Sequence, residues 1–286
     1  MWDEMNNRTI ELFRAGKIAE AERSAKETIS SMRDAGASED TAMARALQNL
    51  AEIYRLQTRY AEAEQLWRDA LAIRQRVQGQ DHPDAALCLN NLGGIYFEQR
   101  QYERAEEFFR RAFRILDRAR GRKDLHTANV MANLAAALRA LEKYPAAKPL
   151  YEEVIAIKEG ILGRDHVEVG IALNDFAGLY EGLGRYVEAE PLYRRALEVA
   201  EAHFGPMHPH VATSLSNLAF CLAGLEQYEE AETLLLRAQR ILEMNFGETH
   251  PIALDSLNNL VEFYEGVGKT ELAQEIRDKM AARGRT

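Results

Sequence analysis

The sequence predicts an all-α solenoid of about seven helix-turn-helix repeats. Three observations predict this class: residue columns recur at a fixed step of 42 residues, two amphipathic helical patterns follow each other within each step, and a glycine closes most steps. The clearest column carries an amide or a carboxylate, at Asn49, Asn91, Asn133, Asp175, Asn217 and Asn259. A fixed period in this range indicates that each unit buries its apolar face against its neighbours.

One repeat, from Pro83 to Gly121, shows the pattern in full. The first apolar stripe has the i, i+3, i+4, i+7 spacing of an amphipathic helix, here called helix A, and comprises Leu89, Leu92, Gly93 and Tyr96. The second stripe defines helix B and comprises Tyr102, Ala105, Phe109, Ala112 and Phe113. Gly121 is expected to end helix B, since glycine is common just past a helix C-terminus.

The link between repeats contains a histidine column, at His82, His166, His208 and His250. In three of these copies a proline follows, at a position that suits the first residue of a helix. Neighbouring helices pack about 8–10 Å apart, whereas Zn–N bonds are about 2.1 Å, so adjacent copies cannot share a metal. The column therefore predicts helix capping, and we expect no metal and no cofactor.

We expect one domain over residues 1–286, because a solenoid core grows along one dimension and is not divided by length. The predicted repeats span approximately residues 1–40, 41–82, 83–124, 125–166, 167–208, 209–250 and 251–286.

The charge composition makes some classes of binding partner improbable. The net charge of −9 disfavours nucleic acid and anionic membrane surfaces.

Localisation and chemistry are constrained mainly by what the chain lacks. No apolar run is long enough for a membrane span, and the first residues lack the apolar core of a signal peptide. With only Cys88 and Cys221 and no export signal, a reducing cytoplasmic location is expected. No catalytic or nucleotide-binding motif occurs, so we expect a protein that is not an enzyme.

The segment Leu89-Asn90-Asn91-Leu92-Gly93, with Tyr96, Tyr102 and Ala105, resembles the tetratricopeptide repeat (TPR), whose common form has about 34 residues. The 42-residue period and the Gly-x-x-His-Pro link are similar to the subclass found in kinesin light chains. This resemblance implies a right-handed superhelix whose concave groove grips extended peptides. It also implies that the matching Asn positions face that groove.

The helix A face opposite the core should line the groove. The predicted peptide-binding residues are Asn49, Asn91, Asn133, Asp175, Asn217, Asn259, Asn129, Ile171, Gly178, Phe220, Arg45, Arg55 and Arg139. The middle of this face is small and largely uncharged, with Ile171 and Phe220 expected to be exposed. An asparagine can bond a peptide backbone irrespective of sequence, but the column could instead bond neighbouring helices and set their register.

Two further interpretations concern the edges of this face. Arg55 and Arg139 lie near the turn between helices A and B, where they could steer an acidic peptide or simply form a solvated rim. Glycines 182, 224 and 266 lie near helix A ends and are interpreted as C-caps, whereas Gly94 and Gly178 suggest a close backbone approach.

The sequence thus predicts a protein-interaction scaffold or adaptor that binds an extended peptide segment of a partner protein. The identity of the partner stays open. A self-assembly module forming a homo-oligomer, motivated by Trp2, Ile171 and Phe220, is the alternative from a different class. A sensor domain of a larger regulator is a third possibility.

Overall fold

The computed structural model describes residues 1–37 and 40–283, and this part of the chain forms fourteen α-helices and no β-strand. The helices are α1 (Trp2–Arg14), α2 (Ile18–Asp34), α3 (Thr41–Leu56), α4 (Tyr60–Gln78), α5 (Pro83–Glu98), α6 (Tyr102–Arg120), α7 (Leu125–Ala140), α8 (Tyr144–Leu162), α9 (Val167–Gly182), α10 (Tyr186–Phe204), α11 (Pro209–Gly224), α12 (Tyr228–Phe246), α13 (Pro251–Gly266) and α14 (Thr270–Arg283). Odd-numbered helices are the predicted helices A and even-numbered ones the helices B. The predicted all-α solenoid class is confirmed.

The helices form two compact units. Unit one comprises Met1–Lys143 and contains α1 to α7, and unit two comprises Tyr144–Thr286 and contains α8 to α14. Within each unit, a helix A contacts the helix B that follows it, and that helix B contacts the next helix A. Each unit is therefore a stack in which helices are buried chiefly by their neighbours in sequence.

The helix ends follow the predicted local rules. His82, His166, His208 and His250 are the N-caps of α5, α9, α11 and α13, and each ring Nδ1 accepts the backbone N–H two residues on, at 3.1–3.3 Å. Asp124 does the same for α7 with its carboxylate. The predicted capping role of the histidine column is confirmed. Gly121, at φ 84°, ends α6 in a conformation that glycine adopts without strain.

The core consists of two complementary columns. Large side chains on the helices B are buried, at Trp67, Phe109, Tyr151, Tyr193 and Leu235. Small residues let the helices approach each other, and alanines such as Ala51, Ala135 and Ala219 are fully buried. Truncating one of the buried aromatic residues to alanine should cost about 3–5 kcal/mol, because the rigid stack cannot close the resulting cavity.

The two cysteines are buried and unpaired. Burial raises the pKa of the Cys88 thiol to about 11 and that of Cys221 to about 12. Both side chains therefore behave as small apolar residues of the core. Within residues 1–37 and 40–283, none of the helices combines the length and the apolar character needed to cross a lipid bilayer.

Candidate functional site

A cavity of about 350 Å³ opens on the helix A face of unit one, between α3, α5 and α7. It lies on the predicted helix A face, at repeats two to four. Its lining residues are Glu52, Arg55, Asn90, Asn91, Gly94, Phe97, Glu98, Phe109, Asn133 and Ala136. Three of the predicted site residues, Arg55, Asn91 and Asn133, are thus brought together at one depression.

The floor of this cavity depends on two consecutive glycines in α5. A Cβ atom at Gly93 would lie 2.6 Å from the Phe109 ring, so the missing side chain lets that ring rise from α6 to the cavity floor. A Cβ atom at Gly94 would meet nothing within 4 Å, because it would point into the open cavity. Within the described residues it is therefore Gly93, and not Gly94, that another side chain approaches closely.

Amide side chains form the polar wall. Asn133 Nδ2 donates to Asn90 Oδ1 at 2.9 Å, joining α7 to α5 across the cavity edge. Asn91 Nδ2 instead donates to the Leu87 carbonyl of its own helix at 2.9 Å. The cavity thus combines an apolar floor, two aromatic rings and fixed amides, a mixture typical of sites that hold a peptide side chain beside its backbone.

The same inter-repeat amide bond recurs at other copies of the column. Asn49 Nδ2 lies 3.4 Å from Asn6 Oδ1 in unit one, and Asn217 Nδ2 donates to Asn174 Oδ1 at 2.8 Å in unit two. The alternative in which the amides bond neighbouring helices is therefore confirmed for Asn49, Asn133 and Asn217. Because each bond uses one N–H, the amides still present hydrogen-bonding capacity along the face.

Arg55 is held by two carboxylates at the cavity edge. Its Nη2 donates to Glu52 Oε1 at 2.6 Å, and its Nη1 pairs with Glu98 of the next helix A. Hydrogen bonding to Glu52, together with the charge of Glu98, raises the pKa of Arg55 above its ordinary value. Since two negative charges surround one positive charge, Arg55 does not form the basic rim considered from the sequence.

Other predicted residues lie apart from this cavity. Arg45 donates to Asn7 Oδ1 at 2.7 Å and lies 3.4 Å from Asp3. Arg139 is half-buried near the end of α7, and its Nε has no hydrogen-bond partner among the described residues. The remaining column members are all half-buried on their helices: Asn129, Asp175, Gly178 and Asn259.

Unit two has a smaller cavity, of about 160 Å³, at the edge of its own helix A face. Ile171 lies at its mouth and is 57% exposed, as predicted. The wall is mostly apolar, with Val199 and Phe204 from α10, and His210 supplies a polar edge. Phe220 does not line this cavity and is half-buried, so the expectation that it is exposed is wrong.

The glycines at the helix A ends of unit two have a packing role rather than the predicted capping role. Gly182 and Gly224 are the last residues of α9 and α11, and neither has a positive φ. A Cβ atom at Gly224 would lie 2.6 Å from the Tyr186 ring, and one at Gly182 would lie 2.9 Å from the Tyr144 hydroxyl. The tyrosine that begins a helix B therefore packs onto the end of the next helix A. Gly266 likewise lacks a positive φ, but no such contact surrounds it.

Sequence reasoning missed the second amide column and the aromatic residues of the cavity. Asn90 and Asn174 each directly precede a predicted column member of their own repeat. Each accepts a hydrogen bond from the column member of the next repeat, Asn133 and Asn217 respectively. The consecutive polar pairs Asn90-Asn91 and Asn174-Asp175 were a signal for them, since adjacent helical residues diverge by about 100° and one must lean toward a neighbour. Phe97 was not singled out by the sequence. Phe109 was predicted as a buried residue of helix B, but only the structure shows that Gly93 lets its ring reach the cavity floor.

Comparison with known proteins agrees with this architecture. A tetratricopeptide repeat model matches residues 42–118, 124–202 and 210–276, which is most of the chain. The chain belongs to the tetratricopeptide repeat family. A search of curated proteins finds no match.

Several solved structures share this fold. A Podosopora anserina putative kinesin light chain with nearly identical TPR-like repeats is 22% identical, covers 72% of this chain and 98% of its own, and has a TM-score of 0.61. The apo form of RapI is 16% identical, with coverage of 99% and 97% and a TM-score of 0.75. NprR in complex with its cognate peptide NprX is 15% identical, with coverage of 99% and 78% and a TM-score of 0.63. The resemblance to kinesin-light-chain repeats is thus confirmed at the level of fold.

Proposed function

We propose that this tetratricopeptide repeat protein is a non-enzymatic scaffold that binds an extended peptide segment of a partner protein along its helix A face. The cavity of about 350 Å³ in unit one carries the proposal. It lies on the predicted face, has an aromatic floor and is edged by amides that the fold holds in place. Such a site receives one side chain while its amides bond the flanking backbone.

The existing hydrogen bonds of the amides, a fold neighbour with a bound peptide and the charges at the cavity edge support this assignment. Asn90 and Asn133 are already bonded to each other, so their amides lose little conformational freedom when a ligand binds. The fold neighbour NprR was solved in complex with its cognate peptide NprX, which supports a peptide as the ligand class. The charges at the cavity edge, Glu52 and Glu98 around Arg55, favour a neutral or basic ligand side chain over an acidic one.

The substitution Gly94→Leu tests the proposal. Its side chain would enter the open cavity without striking the core, because a Cβ atom there meets nothing within 4 Å. Peptides selected from a random display library on the wild-type protein should bind it in fluorescence anisotropy, and Gly94→Leu should weaken that binding at least about tenfold.

The matched control is Gly160→Leu. Gly160 also lies within a helix, and a Cβ atom there likewise meets nothing within 4 Å, but it belongs to α8 and lies outside the cavity. Selected peptides should bind this variant as they bind the wild type. Equal binding of those peptides to Gly94→Leu and to the wild type would refute the assignment of the groove.

Self-assembly is the second candidate function, because Ile171 remains exposed beside an apolar cavity in unit two. Of the other residues that motivate it, Trp2 and Phe220 are half-buried. If identical chains associate there, Ile171→Ser should convert an oligomer into a monomer in multi-angle light scattering. A wild-type protein that is monomeric at high concentration contradicts this function and leaves the peptide site unaffected.

A further inference from the structure

The second half of α6 and the residues that follow it are strongly basic, although the chain as a whole is acidic. Residues 110–123 contain seven basic side chains and a single acidic one, Asp117, within a chain whose net charge is −9. The basic residues are Arg110, Arg111, Arg114, Arg118, Arg120, Arg122 and Lys123. The charge is thus concentrated in one helix and its following turn.

This charge is not a property of the repeat. At the position of Arg114, the other repeats have Ala72, Ala156, Glu198 and Arg240. At the position of Arg118 they have Arg76, Gly160, Ala202 and Met244. A residue type present in every copy is explained by stacking, but one concentrated in a single copy needs another reason.

The position of Arg111 does have a structural role in later repeats. In unit two, Arg195 pairs with Glu159 and Arg237 pairs with Glu201, each at 2.6 Å. In each pair, the glutamate comes from the preceding helix B, so the ion pair joins successive repeats. The residue that corresponds to these glutamates for Arg111 is Gln75, which is neutral.

A cavity of about 220 Å³ lies where that carboxylate is missing. Its polar lining comprises Gln75, Gln80, Asp81, Arg111, Arg114 and Arg118. No carboxylate among the described residues lies within ion-pair distance of Arg111 or Arg114. Asp81 lies 3.8 Å from Arg118, but both side chains are more than 70% exposed, so water weakens their attraction.

We propose that this cavity binds the carboxylates of an acidic polypeptide segment, which supply the negative charge that Gln75 lacks. Arg111 corresponds to arginines that hold a glutamate in two other repeats, and guanidinium groups bind carboxylates in a planar, two-bonded geometry. Arg114 and Arg118 follow at helical spacing and can take further carboxylates of the same segment.

An acidic peptide fits better than a nucleic acid. Outside the basic segment, the chain has a net negative charge larger than its overall −9 and repels a long polyanion. A short acidic segment stays within about 8 Å of the arginines, the range over which charges interact at physiological salt. This site is separate from the helix A face, because the arginines lie on α6 and Gln75 lies on α4.

The decisive variant is Gln75→Glu, which introduces the counter-ion found in two other repeats. It should leave the fold intact, since the chain already contains this pair at Glu159 and Arg195. Fluorescein-labelled hexaglutamate peptide should bind the wild-type protein in anisotropy at low salt, and high salt should abolish the signal. Gln75→Glu should weaken binding at least about tenfold, and the double variant Arg114→Gln, Arg118→Gln should weaken it as well.

The charge-matched control is Gln227→Glu, at an exposed N-cap in unit two, which should bind hexaglutamate as the wild type does. Circular dichroism verifies that each variant is folded. Wild-type binding by both Gln75→Glu and the double arginine variant would overturn the proposal. So would displacement of hexaglutamate by a short oligouridylate at lower concentration than by unlabelled hexaglutamate. Gly94→Leu should not change hexaglutamate binding, so this result is independent of the peptide-binding groove.

Discussion

The consecutive glycines of α5 should respond in opposite directions to the same substitution. Gly94→Ala adds a methyl group that meets nothing within 4 Å, so the change is confined to the backbone. Alanine in a helix is more favourable than glycine by about 0.5–1 kcal/mol, because the unfolded glycine has more conformations to lose. We therefore expect Gly94→Ala to raise the free energy of unfolding by about that amount.

Gly93→Ala gains the same helical preference but forces a clash. Its Cβ atom would lie 2.6 and 2.7 Å from two atoms of the Phe109 ring, which is buried and must move. Overpacking of this kind costs about 1–3 kcal/mol. Since the helical gain offsets about 0.5–1 kcal/mol of this cost, the net destabilisation should lie between about zero and 2.5 kcal/mol.

Urea unfolding followed by circular dichroism measures both effects as shifts of the midpoint with an unchanged slope. The chain offers a matched rescue, because repeat six combines Ala219 with Leu235 at the positions of Gly93 and Phe109. The double variant Gly93→Ala, Phe109→Leu should be more stable than the single variant Phe109→Leu, because the smaller leucine leaves room for the added methyl group. The reasoning fails if Gly93→Ala is as stable as Gly94→Ala, or if the two changes at positions 93 and 109 are additive.

Two further predictions concern helix capping and pH. His166→Ala should cost about 1 kcal/mol of unfolding free energy, because it removes the ring Nδ1 that accepts the Glu168 N–H. His166→Asp should retain the wild-type stability, because Asp124 caps α7 with its carboxylate in the same way. Equal urea midpoints for the two variants would contradict this prediction. Hydrogen bonds from Lys26, Gln57 and Arg59 lower the pKa of Glu22 from 4.5 to about 2. Ionised Glu22 therefore stabilises the fold above about pH 4.5, and this contribution is lost as the pH falls toward 2. In acid titrations, Glu22→Gln should lose less stability over that range than the wild type, and an unchanged profile would argue against this prediction.

Local features of the fold could be predicted from the sequence. The helix pattern, the capping histidines and the burial of Trp67 and Tyr151 depend on spacing along a helix or on the chemistry of a few adjacent residues. Repetition strengthens such signals, because each column is observed several times. The position of the helix A face followed from the same spacing, and the cavity at Asn91 and Asn133 lies on it.

Contacts between side chains of different repeats could not be predicted in the same way. Arg55 was read as a basic group from its position, but Glu98, 43 residues further on, neutralises it. Gly224 was read as a cap because it ends a helix, but the ring of Tyr186 is the reason for its small size. In both cases the deciding partner lies more than 35 residues away, and only its exact rotamer determines the contact.

The sequence by itself determined the repeat, the helix ends and which residues form the helix A face, since these depend on local periodicity and on backbone hydrogen bonding. Only the tertiary structure decided that Gly93 lets Phe109 reach a cavity floor and that Gln75 leaves Arg111 without the counter-ion of its repeat equivalents. The physical reason is that a cavity or an uncompensated charge is a property of several side chains together, so it appears only when successive helices are packed.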